Sequence, residues 1–100
     1  MNSRLPIDAE ALGRVCRKHG IRKLSLFGSR LKGTARPDSD VDLLVEFMPE
    51  ARPTLLDMAE IESELSELLG GIRVDLRTAQ ELSRYFRDAV VSEAQVQYAS

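Results

Sequence analysis

Apolar and polar positions alternate with two distinct periods along the chain, and the changes of period mark its elements. Leu12, Val15 and Cys16 recur at helical spacing within residues 8–19, with Asp8 in the N-cap place and Gly20 where a helix would stop. That predicts a first helix, weakened by Gly13. Residues 23–28, KLSLFG, set Leu24 and Leu26 against Lys23 and Ser25, the period of a strand. Residues 41–47, VDLLVEF, form an apolar, β-branched run suited to a central strand covered on both faces. Pro49 and Pro53 then bracket a turn. Over 54–70, Leu55, Met58, Ile61, Glu62, Leu65, Leu68 and Leu69 fall mostly at three- and four-residue steps. They describe one apolar helical face interrupted by one acid, with Gly70 and Gly71 ending the helix. Residues 72–78, IRVDLRT, place Ile72, Val74 and Leu76 on one side of a strand and Arg73, Asp75 and Arg77 on the other. Thr78 and Glu81 have the spacing of a capping box for a last helix through Leu82, Phe86, Val90 and Ala94.

The resulting order is helix, strand, connection, strand, helix, strand, helix. It predicts an α/β (α+β) fold, a small mixed sheet of three to four strands flanked by helices, in a single domain over 1–100. A composition of 43% apolar and 30% charged residues is that of an ordinary globule. No apolar run approaches the roughly 20 residues that span a bilayer, so no membrane association is expected. The opening MNSRLPIDAEALGRVCRKHG lacks an apolar core followed by a small-residue cleavage site. The single cysteine, Cys16, has no partner for an internal disulfide and reads as a packing residue. A cytoplasmic location is the expectation from both features.

Charge is divided unevenly. Residues 1–36 carry nine Lys/Arg against two acids, and residues 37–100 five against fourteen, within a net charge of −2. A basic segment running into an acidic one suits an anionic ligand that arrives with a divalent ion. Direct nucleic-acid binding is not expected from a slightly acidic chain. The acidic positions Asp57, Glu60, Glu64 and Glu67 read as a solvated helix face, and Met58 as a packing residue. The three other ligands that His19 would need for a metal site are not nearby in sequence, so a metal role is not expected of it.

The chemistry concentrates in GSRLKGTARPDSDVDLLV, Gly28 to Val45. Two familiar loops fail there. A phosphate loop would require Lys and Ser/Thr where Thr34 and Ala35 stand, and a calcium loop from Asp38 would require Gly and Glu where Leu43 and Pro49 stand. A metal-dependent nucleotidyl-transfer site fits better. Asp40 and Asp42, two apart on a strand, project from one face and can share Mg²⁺ ions about 3.5–4 Å apart. Gly28 allows close approach of backbone to a phosphate, and Ser29 adds a hydroxyl and an N–H. Arg30, Lys32 and Arg36 could offset triphosphate charge, while Asp38 suits a turn. Asp75, the acid interrupting the strand after the crossover helix, is the candidate third carboxylate and proton acceptor. Its alternative is an ion pair with Arg73 or Arg77 on the same side.

Ser29 and Asp40 are separated by ten residues, and the pattern glycine-serine, ten residues, Asp-x-Asp resembles the signature of the minimal nucleotidyltransferases of the DNA polymerase beta-type superfamily. The likeness extends to LSLFGS before it, RVDLRT after it and the closing YFRDAVVSEAQVQYA, similar to the family's last helix. This resemblance implies that Gly28 and Ser29 contact nucleotide phosphates, that Asp40 and Asp42 bind Mg²⁺, and that Asp75 completes the acid trio. It further implies transfer of AMP from ATP to a hydroxyl, commonly a tyrosine of a HEPN-domain toxin that the family member silences as an antitoxin. Lys32 stands where arginine is frequent in that family, keeping the charge but losing the forked geometry. Two other functions stay open: an antitoxin that neutralises its toxin by binding alone, and transfer to a small-molecule acceptor. The shortness of the chain disfavours the latter and suits an acceptor that is itself a folded protein.

Overall fold

The computed structural model describes residues 7–27, 40–81 and 87–100. Helix α1 (Ala9–His19) begins where the Asp8 carboxylate accepts the Ala11 N–H at 3.2 Å and ends where Gly20 turns left-handed at φ 68°. Both ends are where the spacing predicts them. A Cβ on Gly20 would stand 3.4 Å from the Ala51 Cβ as well as opposing that φ. Gly20→Ala is therefore expected to cost about 1 kcal/mol, read from the urea midpoint of unfolding.

Strand β1 (Ile21–Phe27) starts two residues earlier than the alternation indicates, and β2 (Val41–Phe47) occupies its expected span. Helix α2 (Leu55–Leu68) carries a reciprocal cap: Thr54 Oγ1 accepts the Asp57 N–H at 3.2 Å, and the Asp57 carboxylate accepts the Thr54 N–H at 2.8 Å. Strand β3 (Val74–Thr78), a 3₁₀ turn (Ala79–Glu81), helix α3 (Arg87–Glu93) and strand β4 (Gln95–Ala99) follow. The sheet order is β3-β2-β1-β4, with β2 parallel to β3 and both β1 pairings antiparallel. It is a mixed four-stranded sheet, and α2 is the crossover that a parallel pair requires.

Three expectations change. Thr78 and Glu81 close a 3₁₀ turn: the Glu81 carboxylate accepts from the Thr78 N–H at 3.4 Å and from its hydroxyl at 3.2 Å. Leu82 and Phe86, expected in the last helix, lie outside the described residues. The helix does not run on through Ala94 into the tail, because residues 95–99 find ladder partners along β1. Leu55 and Leu56, 89% and 81% exposed, stand off the core although the spacing puts Leu55 on the apolar face. Helical period tells which side of a helix is apolar, not how far along it a neighbour extends.

The third change concerns β2, expected to be covered on both faces. Val41, Leu43 and Val45 are buried, whereas Asp42 and Leu44 are half-buried and Glu46 is exposed. Leu12 and Cys16 of α1 and Ile61 and Leu65 of α2 join Leu24, Leu26, Leu43, Val74 and Leu76 in one core on one side of the sheet. The alternation characteristic of a one-sided sheet follows. Cys16 is fully buried there, and burial pushes its thiol up to about 12, with the Arg17 charge opposing; it stays neutral and serves as packing. No helix among the described residues is long and apolar enough to cross a membrane.

Candidate active site

The other side of the sheet carries the acids. In the parallel pairing, Asp42 of β2 stands directly beside Asp75 of β3, and Leu44 beside Arg77. Neighbours in register share a face, so the two carboxylates project together. Asp40 immediately precedes β2, exposed, and the start of that strand is tied down by the Val41 N–H donating to the Arg73 carbonyl at 2.8 Å. Phe27, the last described residue before Gly28, is the antiparallel partner of Asp42. The strand leading into the glycine-serine pair thus ends alongside the acids. A cavity of about 590 Å³ opens further along the same strands, bordered by Ser25, Leu44, Thr78 and Val91 among others. That volume is in the range of small-ligand sites.

Electrostatics at the site are unfavourable without a cation. The Asp42 carboxyl is pushed above the ordinary aspartate value by burial first, then by the charges of Asp75 and Asp40, with Arg77 opposing. Arg77 Nη2 reaches Asp75 Oδ2 at 3.2 Å, and its Nη1 lies 4.0 Å from Glu81. Of the two ion pairs open to Asp75 the one with Arg77 forms; among the described residues none joins it to Arg73. Asp75 is therefore both paired to Arg77 and next to Asp42. Three carboxylates with one nearby guanidinium leave net negative charge and free oxygen donors, the donor set that suits a hard divalent cation. Gly28, Ser29, Arg30 and Lys32 lie outside the described residues, as do Arg36 and Asp38.

One cluster escaped the sequence reading. His19, Glu60 and Glu64 bring ligand atoms within 4.8 Å of one another, tighter than the three aspartates stand. The position is already served by a cation: Lys18 Nζ lies 2.9 Å from Glu64 and 3.8 Å from Glu60, and the half-buried His19 ring meets Glu64 at 2.5 Å. For Glu64, burial acts upward but the bonds from Lys18 and His19 outweigh it and lower its pKa. This is a staple between α1 and α2 rather than a solvated acidic face. Forty-five residues separate His19 from Glu64, so no local spacing could have signalled it.

Residues 9–97 match the family model described as a nucleotidyltransferase domain. The protein adenylyltransferase MntA of Thermococcus cleftensis is 42% identical over 76 residues, which are 76% of this chain and 74% of that one. A solved structure of a candidate minimal nucleotidyltransferase is 42% identical, with a TM-score of 0.69 over 86% of this chain and 85% of its own. A chain from the complex of a tri-AMPylated Shewanella oneidensis HEPN toxin with an MNT antitoxin is 18% identical, with a TM-score of 0.62 over 92% of this chain and 70% of its own. At that identity the likeness is one of fold.

Proposed function

The chain belongs to the nucleotidyltransferase domain family, and we propose that it is a Mg²⁺-dependent protein adenylyltransferase that moves AMP from ATP to a tyrosine hydroxyl of a HEPN-domain toxin, acting as its antitoxin. The observation that carries this is the placement of Asp42 beside Asp75 on the open face, with Asp40 leading into the same strand. One relative supports a protein acceptor: MntA of T. cleftensis is a protein adenylyltransferase, and the fold is also that of an antitoxin solved with an AMPylated HEPN toxin.

Asp40, Asp42 and Asp75 would hold two Mg²⁺ ions, which supply positive charge to the triphosphate and lower the pKa of the attacking hydroxyl. Gly28 and Ser29 grip the phosphates through backbone N–H groups and a hydroxyl, and Arg30 and Lys32 offset the remaining charge. The acceptor oxygen attacks the α-phosphorus in line, forming the new P–O bond as the bond to pyrophosphate breaks. Asp75 takes the acceptor's proton, since its second oxygen is free of the Arg77 contact. The cavity bordered by Leu44 and Thr78 lies further along the same two strands and is lined by none of the three acids.

The test is incubation of the protein with ATP labelled at the α-phosphate, Mg²⁺ and the co-encoded HEPN partner. Label on the partner's tyrosine, one pyrophosphate released per AMP added, and loss of both with chelator are the expected results. A toxin silenced without label would instead assign the chain to neutralisation by binding.

A further inference from the structure

Strand β3 sits at the edge of the sheet with β2 on one side only. The Val41 N–H donates to the Arg73 carbonyl, so the backbone groups of residues 73, 75 and 77 face β2 and those of 74, 76 and 78 point outward. Two of these outward N–H groups are met by glutamates. Glu62 Oε2 of α2 accepts the Leu76 N–H at 2.7 Å, and Glu81 Oε1 accepts the Thr78 N–H at 3.4 Å. Before the strand, Ser66 Oγ of the same helix donates to the Ile72 carbonyl at 2.7 Å.

Register is the quantity at stake. Ile72, Val74 and Leu76 share the core side, so a slip of two residues would still set apolar side chains downward. That slip would carry Asp75 about 6.6 Å along β2, away from Asp42. Hydrophobic burial alone therefore fixes the face of β3 but not its height. The Glu62 bond does fix it, because the helix that carries Glu62 is itself locked by the fully buried Ile61 and Leu65 on either side. A charged acceptor makes this bond stronger than an ordinary one.

We propose that Glu62 is a positioning residue for the transfer reaction: through the Leu76 N–H it sets strand β3 at the height where Asp75 faces Asp42. The inference rests on the assignment of Asp75 to the transfer site. Glu62 acts through the backbone of the residue after Asp75, whose N–H its carboxylate accepts.

The experiment compares the full chain with Glu62→Ala and Glu62→Gln, by AMP transfer to the partner and by NMR cross-relaxation between the backbones of β2 and β3, which reads their register. For Glu62→Ala, kcat is expected to fall roughly 10- to 100-fold with the KM for ATP within about twofold, the pattern of a misplaced group rather than lost binding. Its interstrand contacts should no longer place residue 75 opposite residue 42 alone, as they do in the parent. Glu62→Gln, which keeps an oxygen acceptor, should recover most of both. A folded Glu62→Ala with unchanged kcat and an unchanged β2–β3 register overturns the proposal. If the parent transfers no AMP, the assigned activity is what fails, and the NMR comparison still decides the role of Glu62. Should Glu62→Ala not fold, Glu62→Asp keeps the charge but falls short by one methylene, and the same two readouts apply to it.

Discussion

Asp42→Asn should cut AMP transfer by at least about 1,000-fold while making the protein more stable at neutral pH. The loss follows from removing the one carboxylate flanked by both other acids, Asp75 across the pairing and Asp40 two residues before it. The gain follows from the same arrangement. Burial and the two neighbouring charges push the Asp42 carboxyl up, with Arg77 opposing, so the folded state holds a proton on it more tightly than the unfolded chain does. A group raised in this way contributes stability below its unfolded value, and that contribution is lost as pH rises through the folded value. At neutral pH the parent thus bears the full repulsion, which the neutral amide removes. Discounted for the solvent Asp42 retains, the gain should be roughly 2–5 °C in melting midpoint. The gap between variant and parent should close as the pH falls below about 4, where both are uncharged. Millimolar Mg²⁺ should also narrow it, by stabilising the parent alone. Calorimetry at pH 7 and pH 3.5, with and without Mg²⁺, reads all of these. A variant no more stable than its parent would mean that the acids do not crowd one another. A variant that still silences the toxin would favour binding over chemistry.

The strand positions of the acids were legible from the sequence, for reasons of period. Asp40 and Asp42 are two apart ahead of an apolar run, and that alone puts them on one side of a strand. Asp75 is the single acid in the strand after a helix long enough to be a crossover, which makes a parallel neighbour of β2 the natural place for it. What period cannot supply is register: nothing in VDLLVEF and IRVDLRT says that residue 42 meets residue 75 rather than 77. That choice is made by backbone partners outside both strands, including Glu62, which in the sequence is only an acid breaking an apolar face. Strand β4 was missed because no glycine, proline or asparagine separates it from α3, so a helical pattern ran on unpunctuated through Ala94. Its strand character comes from the open edge of β1, a tertiary opportunity rather than a local preference. The same holds for the cover on β2: its composition suits burial on both faces, but both long helices lie on one, and the exposed side is what leaves room for chemistry.

That division between faces makes a second large effect separable from the first. Leu65 is fully buried on the helical side, between Ile61 and Leu69 along α2 and against the apolar side of the sheet. Leu65→Ala removes three carbons from a site bounded by two helices and a sheet, which cannot close up fully, and should cost about 3 kcal/mol. For a chain of this size that is a fall of roughly 15 °C in melting midpoint and a sizeable share of a total stability of about 5–15 kcal/mol. None of the acids touches this face, since Asp42 and Asp75 project from the opposite side of the same strands. Transfer measured well below the lowered midpoint, per folded molecule, should then stay within about threefold of the parent. Asp42→Asn is expected to do the reverse, with activity gone and stability raised. A Leu65→Ala protein that is folded yet as inactive as Asp42→Asn would show that packing beneath the sheet sets the geometry above it. In that event the hold of Ile61 alone would not keep α2, and with it Glu62, at the height that aligns the carboxylates.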